Sequence, residues 1–189
     1  MNDSNGSEVK GIVLDFLPRG RSEDERPQYE RSPVAYAVSP DDFTLYELAL
    51  VDNPEISIGD RIILLPTENQ HSDINDMRTV QYEDLSGGAQ SELEYAIEEI
   101  VEENEDEYVD FYNNAQPITL RLHQLNLLPG IGKKLRNDIL DARKREPFES
   151  FEEVEERISG LHDPKQTLVD RILEEIRDED LKYRNFVGE

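Results

Sequence analysis

The chain has 189 residues, 36% of them hydrophobic, which is enough for one large or two small domains with a lean core. It carries 44 acidic against 20 basic residues, a formal net charge of -24. The absence of cysteine excludes a disulfide framework, a thiolate zinc site and a cysteine nucleophile, and three scattered histidines give no metal-ligand pattern. We therefore expect no metal and no cofactor.

The hydropathy pattern argues against a membrane or secreted protein. No apolar run approaches the roughly 20 residues of a membrane span. The N-terminal stretch MNDSNGSEVKG lacks the charged-then-apolar layout of a signal peptide, so a soluble, cytoplasmic protein is expected. The acidic excess is spread over almost every segment. This distribution favours adaptation to high salt over disorder or a single acidic interaction surface.

The first 86 residues contain short apolar segments separated by turn-rich stretches, which is typical of β-strands. The segments are Val9–Leu17, Pro33–Ser39, Phe43–Val51, Asp60–Pro66 and a weaker Met77–Leu85. Strands packed so closely along the chain indicate a sheet that closes or partly closes, because closure removes exposed strand edges. We predict an α+β protein that begins with an OB-like barrel or half-barrel over residues 1–86.

The longest irregular segment of this region is Pro18–Pro33, whose four arginines are balanced by four acids. A solvated loop is one interpretation, and a loop that clamps a strand of nucleic acid is the other. In the second, Tyr29, Tyr36, Phe43 and Tyr46 would offer stacking faces. We favour the solvated loop, and we expect the last three aromatics to fill the barrel.

An acidic helical connector is predicted over residues 87–115. Ser91 and Glu94 have the spacing of a capping box, and an apolar stripe follows at helical intervals. The stripe consists of Leu93, Ile97, Ile100 and Val101. The carboxylates from Glu98 to Asp110 lack the alternating spacing of a calcium loop, so we interpret them as a solvated helix face.

Residues 116–189 form a predicted all-helical domain, and residues 118–147 hold seven basic and three acidic residues, a net charge of +4. This positive region contains the sequence NLLPGIGKKLRNDIL, from Asn126 to Leu140. The apolar spacing before it predicts a helix over Thr119–Leu127, and a second helix is predicted from about Gly132. The stretch is therefore expected to be a helix, a glycine hairpin and a helix.

Each residue of the hairpin has an expected physical role. Gly130 and Gly132 would adopt dihedrals that other residues avoid and leave room for a ligand, while Ile131 would turn inward. The free N–H groups at the start of the second helix would then bind an anion. Lys133 and Lys134 are unfavourable for the helix dipole unless a phosphate is bound there. Flanking phosphate contacts are predicted from Arg121, Arg136, Arg143 and Lys144, together with Arg145.

LLPGIGKKL between two amphipathic segments closely resembles the helix–hairpin–helix motif, which binds DNA or RNA backbones without reading sequence. The rest of the chain repeats the layout in degenerate form. Ser150 and Glu153 predict the start of a third helix, and Asp163 followed by Pro164 predicts the start of a fourth. The turn between them, GLHDP, lacks the Gly-x-Gly and the lysines, so a structural role is expected for it.

The chain as a whole resembles an uncharacterised archaeal family predicted to bind nucleic acid, whose members join an OB-like domain to a helix–hairpin–helix domain. The motifs that carry the resemblance are ITLRLHQLNLLPGIGKKL, PFESFEEVEERISGL, KYRNFV, VLDFLPRGR, FTLYEL and IGDRI. Genes of that family tend to neighbour translation genes, so the resemblance implies RNA more than DNA and a partner in the translation machinery. The heavy acidic load departs from the usual basic balance of the family.

Three functions remain open from the sequence. The first is a non-enzymatic nucleic-acid-binding protein that acts on RNA. The second is a DNA-binding repair or replication factor, because some base-excision glycosylases use a similar hairpin. Those folds need more helices, and the chain shows no lysine–aspartate pair at a fitting distance after the hairpin. The third is a protein-interaction scaffold without a nucleic-acid partner.

Overall fold

The computed structural model describes residues 9–64 and 73–188, and it is a mixed α+β structure, as predicted. Two compact units are present. Unit 1 comprises the chain up to Ala96 together with Gly188, and unit 2 comprises Ile97–Val187. The division falls inside a helix, between the boundaries at residues 86 and 115 that the sequence predicted.

Unit 1 contains a five-stranded antiparallel sheet that is curled into a half-barrel. Its strands are β1 (Lys10–Leu17), β2 (Val34–Val38), β3 (Leu45–Leu50), β4 (Arg61–Ile63) and β5 (Ile74–Val80), in the order β4-β1-β2-β3-β5. Within the described residues no ladder joins β4 to β5, so the sheet is open there. The first four predicted segments each contain a strand, although part of Asp60–Pro66 lies outside the described residues. The fifth strand begins and ends earlier than predicted.

The core of unit 1 is made by small and branched apolar residues from the strands and from the segments beside β4. It comprises Val13, Ala35, Ala37, Leu48, Leu50, Ile56 and Leu64. Phe43 is buried and Tyr46 packs against this core, as predicted. Tyr36 is buried too, but on the face of β2 opposite to Ala35 and Ala37, and Tyr29 is 86% exposed. Tyr36 and Phe43 are therefore unable to stack on a nucleic acid in this conformation.

The helix α1 (Gly87–Glu103) begins four residues before the predicted capping box. Its actual N-cap is Ser86, whose Oγ accepts a hydrogen bond from the N–H of Ala89 at 3.1 Å, so Ser91 lies inside the helix. The hydroxyl of Ser86 also donates a hydrogen bond to Oδ2 of Asp15 at 2.6 Å, and a Cβ at Gly88 would lie 2.7 Å from the same oxygen. The start of α1 therefore packs closely against β1.

Unit 2 is helical. Besides the end of α1 it contains α2 (Glu105–Asn114), α3 (Lys133–Arg145), α4 (Phe151–Arg157) and α5 (Pro164–Arg177). The apolar stripe predicted for α1 is buried, and Tyr112 of α2 donates a buried hydrogen bond to the carbonyl of Pro164 at 2.6 Å. The predicted helical character of residues 87–115 is therefore confirmed, as two helices divided at Asn104.

The helix predicted over Thr119–Leu127 is wrong. An antiparallel bridge between Pro117 and His123 closes a small hairpin there, and only Gln124–Leu127 is helical, as a 3-10 turn. The side chain of Thr119 accepts hydrogen bonds from the N–H groups of Arg121 and Leu122, and such local bonds compete with the helix. Leu120 is completely exposed at this turn, whereas Leu125 of the 3-10 turn is buried.

The last two helices follow the prediction closely. Ser150 caps α4, and Asp163 caps α5 with Pro164 in its first turn. The buried carboxylate of Glu175 in α5 accepts hydrogen bonds from Arg171 and from three successive N–H groups of residues 185–187. These bonds fix the segment RNFV against α5, which gives the late motif KYRNFV a structural role.

Candidate nucleic-acid interface

The predicted hairpin is a tight turn whose apex is Pro129–Gly130. The N–H of Ile131 donates to the carbonyl of Leu128 at 3.2 Å, and Gly130 has a φ of 80°. Proline followed by a glycine with positive φ is the signature of a type II turn. Ile131 is 4% exposed, so the prediction that it turns inward is confirmed.

Gly130 and Gly132 differ in backbone conformation. Gly132 has φ -91° and ψ -162°, an extended conformation open to any residue, so the dihedral prediction is wrong for it. A Cβ at either Gly130 or Gly132 would meet no heavy atom within 4 Å. Packing therefore does not require these glycines, and their bare backbone leaves free access from solvent.

The N-terminus of α3 lies directly after the turn and has no side-chain cap. Gly132 is its N-cap, and its first turn contains no acidic residue. Lys133 and Lys134 are exposed there, as predicted. Nζ of Lys134 lies 3.4 Å from Oδ2 of Asp138, but with the lysine 83% exposed such an ion pair contributes little and leaves the ammonium available.

A hydrogen-bonded brace behind the turn holds it in place, and it was not foreseen from the sequence. Nδ2 of Asn126 donates to the carbonyl of Ile131 at 3.3 Å, and its Oδ1 accepts from Arg136 Nη1 at 3.2 Å and from the N–H of His123 at 3.1 Å. Arg136 therefore positions the hairpin. The usable signal was Asn126 three residues after His123, the spacing of a capping box.

His123 is the buried member of this brace. Its Nδ1 accepts a hydrogen bond from the N–H of Leu125 at 3.1 Å, which caps the 3-10 turn. Burial, followed by the nearby charges of Arg143 and Arg136, lowers the pKa of His123 below its ordinary value. The neutral imidazole is thus the form that fits the folded unit.

The structure separates the remaining predicted phosphate contacts. Arg143 donates from Nη1 to the carbonyl of Tyr112 at 3.1 Å, and burial lowers its pKa, so it caps α2 instead of facing a ligand. Lys144 is exposed but lies 11 residues beyond Lys133 on α3, about 16 Å away at 1.5 Å per residue. Arg121 is exposed on the small hairpin 117–123. Only Gly130–Lys134 form one continuous surface, with Arg136 behind it.

The second hairpin repeats the turn but not the open helix end. The N–H of Leu161 donates to the carbonyl of Ile158 at 3.3 Å, and Gly160 has a φ of 92°. The carboxylate of Asp163 then accepts from the N–H of Gln166 at 3.1 Å and occupies the N-terminus of α5. The carboxylate of Asp163 therefore occupies the N-terminus of α5, whereas no side chain occupies the N-terminus of α3.

A family model described as a protein family of unknown function, DUF655, matches residues 7–188. The chain belongs to the DUF655 family. The uncharacterized protein MJ0038 of Methanocaldococcus jannaschii is 36% identical over 176 residues, which cover 93% of this chain and 77% of that protein. Its archaeal origin agrees with the resemblance stated from the sequence.

A solved structure supports the fold of this DUF655 chain. The crystal structure of Af1531 from Archaeoglobus fulgidus, a member of the same family, superposes with a TM-score of 0.87 at 39% identity. The match covers 96% of this chain and all of that one. The relationship is thus evident over both units.

Neither a metal-ligand cluster nor a membrane-spanning helix occurs in the described part of the DUF655 chain. In residues 9–64 and 73–188, no three His, Asp or Glu side chains are grouped so that they could hold a metal ion. Within the same residues, no helix has both the length and the apolar character needed to cross a membrane.

Proposed function

We propose that this DUF655 protein is a non-enzymatic nucleic-acid-binding protein that grips the phosphate backbone with the turn Leu128–Gly132 and the N-terminus of α3. The observation that carries the proposal is the difference between the two helix starts. Asp163 caps α5, whereas Gly132 leaves the start of α3 without a side-chain cap and beside two exposed lysines. Lysines beside an uncapped helix N-terminus are electrostatically unfavourable, and a bound anion removes this repulsion.

The chemistry of the grip follows from the groups present. Phosphate oxygens accept hydrogen bonds from the N–H groups at the start of α3, and the helix dipole adds attraction. The missing side chains at Gly130 and Gly132 let the backbone approach the phosphate closely. Lys133 and Lys134 add charge. Because phosphates carry no sequence information, this contact does not distinguish sequences.

In this proposal, residues 124–145 are a helix–hairpin–helix motif whose first helix is reduced to the 3-10 turn Gln124–Leu127. The α4 and α5 pair is its degenerate second copy, with the same turn at Gly160. The half-barrel of unit 1 is assigned as OB-like, because β1 lies between β2 and β4 in a partly open five-stranded sheet. The hairpin chemistry does not depend on this second assignment.

RNA is the proposed nucleic acid, and the translation machinery the proposed context in the cytoplasm. Support comes from the association of the resembling family with translation genes. We also propose that the protein works at high salt, since a net charge of -24 is otherwise repulsive to a polyanion.

The test is binding to fluorescent single-stranded RNA and duplex DNA of mixed sequence, at molar potassium chloride. The double variant Lys133→Ala/Lys134→Ala should lose most affinity. The matched control Lys144→Ala/Arg145→Ala removes the same charge from the other end of α3 and should retain it. Equal losses in both variants would show that net charge matters and the hairpin does not. Preference for duplex DNA would favour a repair or replication factor, and no binding would favour an interaction scaffold.

A further inference from the structure

Four strands of unit 1 bring a row of polar side chains together across the sheet. Asp15 pairs with Tyr36, Tyr36 with Glu47, and Glu47 with Arg78. Glu47 is only 7% exposed and accepts two hydrogen bonds of 3.1 Å from Arg78. Burial and the nearby Glu47 raise the pKa of Tyr36 to about 12, so its hydroxyl stays protonated. Within this row the negative charge of Glu47 is balanced by Arg78.

A cavity of about 180 Å³ opens beside this row. Its lining is mostly polar, with small contributions from Leu17 and from the buried Tyr36 and Leu85. Arg21 lines it as well, held by its Nη2 at 3.2 Å from Oε1 of Glu47 while 43% of its side chain remains exposed. The buried Glu47 thus fixes a guanidinium at the cavity.

Carboxylates face the same cavity. Glu23, Glu83 and Asp84 line it and are exposed. Asp84 accepts a hydrogen bond from the N–H of Gln81 at 3.0 Å, whereas within the described residues no hydrogen bond or ion pair engages the side chain of Glu23 or Glu83. A simple cation would gain nothing from the guanidinium of Arg21, and an anion would be repelled by the carboxylates. An arginine and carboxylates on one cavity match a group with hydrogen-bond acceptors on one edge and donors on another, which is the pattern of a nucleobase.

We propose that this cavity binds an unpaired guanine base. Guanine presents two adjacent donors, N1–H and N2–H, to one carboxylate, and the acceptors O6 and N7 to an arginine. Adenine, cytosine and uracil do not offer two adjacent donors on that edge. The inference rests on the proposed function only in taking RNA as the source of the base, and it adds a base preference to a backbone contact that has none.

The test is titration calorimetry of the full chain with the four free nucleosides at high potassium chloride, since nucleosides carry no phosphate for the hairpin to bind. Guanosine should bind about tenfold more tightly than the other three, the discrimination of one good bidentate contact. The variant Glu23→Gln/Glu83→Gln should lose this preference. Glu55→Gln/Glu94→Gln changes exposed acids of unit 1 that do not line the cavity, and it should keep the preference.

Three results would overturn the inference: no nucleoside binding, equal binding of all four, or binding of the guanidinium compound agmatine in place of guanosine. The variant Lys133→Ala/Lys134→Ala separates the two proposals. It should bind guanosine as the parent does while losing RNA affinity. Loss of RNA binding without loss of guanosine binding concerns the hairpin alone, and the reverse concerns the cavity alone.

Discussion

Nη1 of Arg136 donates a hydrogen bond of 3.2 Å to Oδ1 of Asn126, ten residues earlier in the chain. Through Nδ2 of the same asparagine, the contact reaches the carbonyl of Ile131 at the hairpin. Arg136, which the sequence predicted to be a phosphate contact, thus stabilises the conformation of the hairpin.

Asn126→Ala should therefore loosen the hairpin. Three hydrogen bonds are lost with that side chain, and at about 1 kcal/mol each, partly offset by water, we expect unit 2 to lose about 1–3 kcal/mol of unfolding free energy. RNA affinity should fall with it. Denaturant unfolding and RNA titration measure both effects. Asn114→Ala, at the exposed end of α2, is the control, and an equal loss there would contradict the role of the brace.

The two hairpin glycines should respond differently to substitution. Gly130→Ala forces a φ of 80° on a side-chain-bearing residue and should destabilise unit 2 by about 1 kcal/mol. Gly132→Val should abolish RNA binding with little loss of fold, because its backbone is extended and its side chain would project into the proposed phosphate position. Circular dichroism and RNA titration check this. If Gly132→Val binds as the parent does, the hairpin is not the contact.

Removal of Lys133 and Lys134 should weaken binding to all sequences about equally. The reason is that phosphates carry no sequence information, so the discrimination between RNAs of different sequence should be unchanged. Affinity ratios for a panel of unstructured RNAs, measured for parent and double alanine variant, give the answer. A sequence-selective loss would mean that the lysines reach the bases.

Acid should destabilise unit 2 through His123. Its folded pKa is lowered, so the unfolded chain binds a proton more readily, and stability present above the ordinary pKa of about 6.5 is lost as pH falls below it. Protonation also turns Nδ1 into a donor, which breaks the bond from Leu125. Unfolding free energies at pH 8 and pH 5 should differ less in His123→Asn than in the parent. His162→Asn, at an exposed position, should behave as the parent does.

Folding and RNA binding should both improve as potassium chloride rises from low to molar concentration. At low salt the charge of -24 repels the chain itself and a polyanion. At about 1 M the screening length is only about 3 Å, so short-range hydrogen bonds at the hairpin dominate. In ordinary systems affinity instead falls with a log–log slope of about −0.9 per phosphate contact. A steady decline from low salt upward, with circular dichroism unchanged, would show that such electrostatics dominate.

Local patterns in the sequence predicted much of the fold. Strong β-formers between turn residues located the first four strands, and Asp163–Pro164 located the start of α5 to the residue. The inward position of Ile131 was predicted correctly, because burial of an apolar side chain is favourable.

The failures came from contacts between residues far apart in sequence. The N-cap of α1, Ser86, donates a hydrogen bond to Asp15, 71 positions earlier in the chain, and no local pattern reveals this contact. Arg143 was predicted to contact phosphate, but it donates a hydrogen bond to the carbonyl of Tyr112 at the C-terminus of α2, which lies 31 residues away in sequence. The false helix over Thr119–Leu127 arose because three apolar residues at helical spacing also fit a hairpin and a 3-10 turn.

The contrast between Gly132 and Asp163 has a practical consequence for crystallography. A crystal grown from sulfate, or soaked in selenate or tungstate, offers tetrahedral anions to both helix starts at the same concentration. Asp163 already occupies the start of α5, so the turn before α5 would serve as the internal control for the turn before α3. Anomalous density at α3 and none at α5 would display the chemical difference between two turns of nearly the same backbone shape.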